Sequence, residues 1–245
     1  MVLTVRDADG NLVRRLTGPT SSGFHRVAWD LRYAGTTPGR SSSGPMVLPG
    51  RYSITLAKHV NGEFASLGEP QTVEVVPLDN ATLPAADRSA VLAFRRDLGE
   101  LQRAVLGANA VINATLSELH AAKRAVFDAT AASETLVERL RSLEIRLLDA
   151  QMLLMGDRTV SSRAELLPPS ILDRVQRAVR AQFGTTAEVT TTHRRNYEIA
   201  AEEFGPVLEN LRGLIEVELV ELQEQLEDAG VPWTSGRGLP RWRSM

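Results

Sequence analysis

The hydrophobic rhythm of the chain changes between Pro77 and Pro84. Upstream, apolar residues alternate in short runs broken by Gly, Asn and Pro. Downstream, they recur every three or four residues almost to the end. Alternation puts every second side chain on one face of a strand, whereas three-to-four spacing gathers them on one face of a helix. The chain is therefore expected to be α+β in two modules. Strands occupy residues 1–78, a linker residues 79–84, helices residues 85–229, and a Trp- and Arg-rich tail residues 230–245.

The first module reads as five or more short strands. Leu3 and Val5, then Leu12, Val13 and Leu16, flank Asp7-Ala8-Asp9-Gly10-Asn11, a hairpin turn in which Gly and Asn accept positive φ at little strain. Phe24–Leu31 reads as a third strand, Arg51–Ala57 as a fourth, and Thr72–Val76, after a turn at Asn61-Gly62, as the last. Short strands with this punctuation suggest a small Ig-like antiparallel β-sandwich. Ala34–Pro45, rich in Gly, Ser, Thr and Pro, reads as a mobile loop. Trp29 reads as a core anchor, Asp30 as a partner for backbone or arginine, and Gly50 and Tyr52 as a turn followed by an aromatic plug.

The second module reads as an antiparallel bundle of four helices, two long and two shorter. Thr82-Leu83-Pro84 can open the first helix. Its stripe runs through Val91, Phe94, Leu98, Leu101, Val105, Ala108, Ile112, Leu119, Ala122 and Val126 over roughly 40 residues, about 60 Å of helix. Ala131-Ala132-Ser133 marks a turn. The second helix carries Leu136, Leu140, Leu143, Leu147 and Leu154 and ends near Gly156. Ser170 and Asp173 form a capping box for the third, which stops at Phe183-Gly184. The fourth spans Thr190–Ala229, with Tyr197, Ala201, Phe204, Leu208, Leu211, Ile215, Leu222 and Leu226 on its stripe. Gly205-Pro206 should kink it, because proline removes a backbone donor. Gly99, Gly107 and Gly213 fit two readings equally well, close helix crossings or glycines that are simply tolerated at about 1 kcal/mol each.

Three segments of the first module, "DADGNLVRRL", "GFHRVAWDLR" and "LPGRYSITL", resemble the Ig-like module of the flagellar hook-capping type. That module also closes the BNR-repeat, sortilin-like β-propeller proteins labelled glycosyl hydrolases. Trp29-Asp30 is followed here by Leu31-Arg32 rather than by the Gly of the hook-capping version, which is closer to the propeller-protein pattern. The helices and a tail with Pro232-Trp233 and Pro240-Arg241-Trp242 extend the resemblance along the chain. It implies a C-terminal part of such a protein with the propeller absent, so no family site carries over. It also implies export or a periplasmic location, and an upstream propeller or other protein as partner.

Charge and composition narrow the alternatives. A net charge of −2 with 24% charged residues gives no bulk attraction for nucleic acid. No run approaches the roughly 18 apolar residues needed to span a bilayer. The absence of cysteine excludes disulfides and thiolate chemistry. Met1–Asp7 lacks the basic leader and apolar core of a signal peptide and reads as a strand from the outset, natural for a fragment.

No catalytic, cofactor or metal set is read from the sequence. His25, His59, His120 and His193 are dispersed, and there is no Walker loop, G-x-S-x-G or G-x-G-x-x-G. Glu202-Glu203 and Glu216, Glu218, Glu221, Glu224 and Glu227 fall at helical spacing and read as a solvated face. Asn80-Ala81-Thr82 and Asn113-Ala114-Thr115 match the glycosylation pattern without further meaning. The candidate contact is the tail: Trp233, Arg237, Arg241 and Trp242 are of the types that anchor interfaces. The alternative is that both tryptophans fold back on the protein. The functional expectation is a non-catalytic accessory or interaction module of an exported propeller protein, with a homodimer also open. A module completing a glycoside-hydrolase-like site with the propeller, or a free-standing adhesion or assembly module, remains the alternative.

Overall fold

A computed structural model describes residues 1–37, 43–78, 84–129, 133–157, 160 and 168–242. The protein is α+β: among the described residues, antiparallel sheets at the N-terminus are followed by four helices. It divides into two compact units, residues 1–103 with 177–194 and residues 104–176 with 195–245. Thr82-Leu83, Asn80-Ala81-Thr82 and Ala131-Ala132, read above as a helix start, a glycosylation pattern and a turn, lie outside the described residues.

The first unit contains strands β1 Val2–Arg6, β2 Leu12–Thr17, β3 Arg32–Ala34, β4 Ser43–Met46, β5 Gly50–Val60, β6 Glu63–Ser66 and β7 Gln71–Val75. β1 lies between β2 and β5, and β5 also pairs with β6 and β7, all antiparallel; β3 and β4 form a separate two-stranded sheet. The β1–β2 turn is held by Asp7, whose Oδ1 accepts from the Asp9 and Asn11 backbone N–H groups at 3.1 and 2.8 Å. At the β5–β6 turn, Asn61 and Gly62 both have positive φ, 52° and 86°, as a tight hairpin turn with right-handed strand twist requires.

Val5, Val13, Val47 and Tyr52 make the core of this unit, with Trp29, Tyr33, Ile54 and Val75 packed against it. Trp29 meets Tyr52 edge-on, ring centroids 5.3 Å apart. Its indole N–H donates to the Arg32 carbonyl at 3.1 Å, so the aromatic anchor has its single donor satisfied.

The strand expected at Phe24–Leu31 does not form. Phe24 is fully exposed and Leu31 takes a left-handed φ of 56°. Alternation survives, since Val27 and Trp29 are half-buried and their neighbours exposed, but Phe24–Asp30 carries no ladder. Conversely, β6 was not foreseen, and part of the expected Ala34–Pro45 loop is strand β4. Gly44 makes β4 possible: a Cβ there would lie 2.4 Å from the Ala34 carbonyl oxygen. Residues 38–42 of that stretch lie outside the described residues.

Helices α1 Arg88–Asp128, α2 Glu134–Met155, α3 Ile171–Phe183 and α4 Thr191–Arg212 follow, and α4 continues through a π-helical turn, Gly213–Glu218, into α5 Leu219–Asp228. Asp87 caps α1 through Oδ1, which accepts from the backbone N–H groups of Ser89 and Ala90 at 2.9 and 3.0 Å. Ser133 caps α2. Ser170 and Asp173 make the reciprocal capping box at α3, with side chain to backbone distances of 3.2 Å in both directions.

In the second unit, polar pairs fix helix direction. Gln151 of α2 donates to Asn109 and Asn113 of α1, and Glu144 pairs with His120 and Lys123. Numbers fall along one helix as they rise along the other, so α2 runs antiparallel to α1. Arg139 with Glu221 and Arg146 with Glu218 set α2 antiparallel to α5 in the same way. The core of this unit includes Val105, Ile112 and Leu119 of α1 and Leu140, Leu143 and Leu147 of α2.

The final helix departs from its expected stripe. Its buried residues are Ala200, Phe204, Val207, Leu211 and Leu214, then Leu219, Leu222 and Leu226. Spacing is three or four except between Leu214 and Leu219, where the Leu219 N–H bonds back five residues to the Leu214 carbonyl. The π turn absorbs one extra residue, keeping Leu219 inward and leaving Glu218 to meet Arg146. Pro206 lies within α4, which continues past it; the departure from α geometry comes at Gly213. A Cβ at Gly99 would lie 3.5 Å from Thr36 and 3.6 Å from Phe183, whereas Gly107 and Gly213 have nothing within 4 Å. Of the three glycines, only Gly99 sits against a neighbour. Among the described residues, no helix is long and apolar enough to cross a membrane.

Candidate functional site

The end of α5 builds the tail that the sequence singles out. Gly230, at φ 64°, is the left-handed residue that stops the helix. Its N–H bonds to the Glu227 carbonyl and the Val231 N–H to the Leu226 carbonyl, each at 3.0 Å, and Leu226 and Val231 are both buried. That pairing is the Schellman arrangement with its apolar contact. Pro232 then prevents further helix.

Beyond it, Arg237 turns inward. Its side chain is 3% exposed, and its guanidinium donates to the carbonyls of Val231 at 3.1 Å and Pro232 at 3.2 Å and to Glu227 Oε2 at 2.6 Å. The second Glu227 oxygen accepts from the Arg241 backbone N–H at 2.8 Å. The Arg241 guanidinium reaches Asp228 Oδ1 at 3.3 Å. One carboxylate thereby fastens two points of the tail. Gly236, at φ 101°, passes so close to Glu118 that a Cβ would lie 2.6 Å from a carboxylate oxygen.

The four residues chosen from the sequence are brought together but have different fates. Arg237 is an internal fastener rather than a contact residue, because its charge is neutralised by Glu227 and its planar fork is filled by carbonyls. Arg241 stays partly exposed against Asp228. Trp233 is 54% exposed, with its indole N–H spent on the Gly238 carbonyl at 2.8 Å. Trp242 is 89% exposed. Neither tryptophan is buried, so the tail keeps two aromatic faces outward on a backbone tied to α5.

Of the glutamates read as a solvated face, Glu202, Glu203, Glu216, Glu221 and Glu224 are exposed, while Glu218 and Glu227 are half-buried. Glu218, Glu221 and Glu227 pair with Arg146, Arg139 and Arg237. Hydrogen bonding from Arg146 is the main influence holding the Glu218 carboxyl below the usual range, and Glu218 in turn raises Arg146. The available signal was Arg139 and Arg146, two cations two turns apart on α2.

A further ionic cluster joins α1 to α2. Glu144 accepts from Lys123 at 2.6 Å and lies 2.8 Å from His120 Nε2. The Lys123 hydrogen bond, followed by its charge and by His120, pulls the Glu144 carboxyl below its ordinary value against the opposing effect of burial. Among the described residues, no three His, Cys, Asp or Glu side chains converge as a metal site would require. These groups clamp helices, whereas the tail presents two exposed tryptophans on a backbone tied to α5; Phe64 on β6 and Phe127 on α1 are exposed as well. No family model, no curated protein and no solved structure matches the chain.

Proposed function

We propose that the chain is a non-catalytic interaction module, an accessory to an exported β-propeller of the sortilin-like, BNR-repeat kind. In this reading, the strands form an Ig-like sandwich and the helices an antiparallel bundle that carries the tail. The observation that carries the proposal is the exposure of Trp233 and Trp242 on a segment held to α5 by Arg237 and Glu227. Exposed aromatic anchors on a pre-ordered backbone favour binding, because less conformational entropy is lost on association. The three motif segments around the Asp7–Asn11 turn, Trp29-Asp30 and Pro49-Gly50 support the propeller as partner.

The test is a calorimetric titration of the full chain into a purified sortilin-type, BNR-repeat propeller. Binding that weakens at least tenfold in a Trp233→Ala, Trp242→Ala double variant is expected. Absence of binding, or saturable hydrolysis of glycosides or peptides by the chain itself that a point substitution abolishes, would overturn the proposal.

A further inference from the structure

The first unit holds an apolar cleft of about 370 Å³ bounded by Met46, Val47, Leu48, Val75, Val76 and Val91, with Arg95 also on its wall. That volume lies within the range of small-molecule sites, about 300–1,000 Å³. Val76 is 64% exposed and stands at the mouth.

Arg95 is only 5% exposed. Its Nε group reaches Gln182 Oε1 at 3.5 Å and its Nη2 group the Ala187 carbonyl at 3.2 Å. Both acceptors are neutral and neither contact is short. Among the described residues, no carboxylate lies within ion-pair distance of it. The nearest influence of opposite sign is Glu188, whose two oxygens accept from the Ala86 and Val189 backbone N–H groups at 3.2 and 3.0 Å. Arg32 adds a second cation, bonded to the carbonyls of Gly44 and Phe183. Burial first, and then the charge of Arg32, lower the pKa of Arg95, with Glu188 opposing. Arg88 also lines the cleft.

A buried guanidinium is normally balanced by a bidentate acid, because removing it from water unpaired is costly. Here Arg95 stands on the wall of an apolar hollow, with neutral acceptors in place of an acid. We propose that this cleft binds a linear apolar carboxylate of the fatty-acid class, the hydrocarbon against Val47, Leu48, Val75 and Val91 and the carboxylate on Arg95. The planar acid matches the guanidinium fork and supplies the missing charge, while the walls desolvate the tail. This goes beyond the interaction role of the tail and does not depend on it.

The test titrates the full chain with decanoate, decanol and acetate, followed by calorimetry. Decanoate is expected to bind with micromolar affinity, at least tenfold tighter than decanol, and acetate not measurably. Arg95→Gln should weaken decanoate at least tenfold. Val76→Trp, a change at an exposed rim position that leaves the fold intact by circular dichroism, should weaken it by a similar factor through occlusion. No heat with decanoate, equal affinity for decanol, or undiminished affinity in Val76→Trp would overturn the proposal. Should Arg95→Gln fail to fold, the decanol comparison and Val76→Trp still decide.

Discussion

Glu227 Oε2 lies 2.6 Å from Arg237 Nη2, and this pair is the lock that holds residues 230–242 as a structured tail. Arg237→Met would leave Glu227 Oε2 and the Val231 and Pro232 carbonyls without the guanidinium donor. Loss of hydrogen bonds to a charged group of this kind is worth about 1–3 kcal/mol. The change should appear as local opening rather than global unfolding. Tryptic cleavage after Arg241 is expected to accelerate at least tenfold, with the main thermal transition little moved. An unchanged cleavage rate would show that the tail is held by something else.

Two glycines are predicted to respond in opposite directions. Gly44→Ala forces a methyl group to 2.4 Å from the Ala34 carbonyl oxygen, with the Tyr33 carbonyl 3.1 Å away. Backbone cannot retreat as a side-chain tip can, so a loss of about 1–3 kcal/mol is expected. Gly107→Ala, within α1 with nothing inside 4 Å, should gain about 0.5–1 kcal/mol, chiefly by restricting the unfolded chain. Urea midpoints of the two variants against the parent measure both.

Tyr52 sets an alkaline limit. Its phenol is pushed up to about 12, first by burial, while its O–H donates to the Leu48 carbonyl at 2.6 Å. The folded value therefore exceeds the unfolded one of about 10. Stability from this difference is fully present below pH about 10 and is lost as pH rises toward about 12. Tyr52→Phe should flatten the decline of the melting temperature across that window, which a series of thermal melts would reveal.

Glu218 acts on the acid side. Its folded carboxyl is depressed by Arg146, so its contribution is complete above the unfolded glutamate value of about 4.3 and is lost as pH falls through the lower folded value. The two side chains are 37% and 42% exposed, and such a pair contributes on the order of 1 kcal/mol or less. A double-mutant cycle on Arg146 and Glu218 should give a coupling of that size at pH 7 that vanishes at low pH.

Much of the helical half was legible because burial and spacing coincide. On α2, Leu136, Leu140, Leu143, Leu147 and Leu154 are all buried as their spacing requires. The last helix was harder, because a constant period cannot anticipate the extra residue at Leu214–Leu219. Reading straight through places Leu208 and Ile215 on the stripe, and both are half-buried beside the buried Val207, Leu214 and Leu219.

In the strand half, alternation identified β1, β2, β5 and β7. It failed at Phe24–Asp30, where side chains alternate but the backbone has no ladder partner, since pairing is a property of two segments. For the tail tryptophans the sequence left two readings open, contact residues or rings folded back on the protein, because no periodicity governs an irregular segment. The inward turn of Arg237 was not legible, because it depends on Glu227, ten residues earlier, meeting it after the helix stops at Gly230.

Hydrogen exchange on the full chain, alone and saturated with the sortilin-type propeller, tests the interaction role most directly. Slowed exchange concentrated in amides of residues 233–242 on binding is the predicted result. A saturated complex whose protection falls elsewhere, with the tail exchanging as in the free chain, would contradict it.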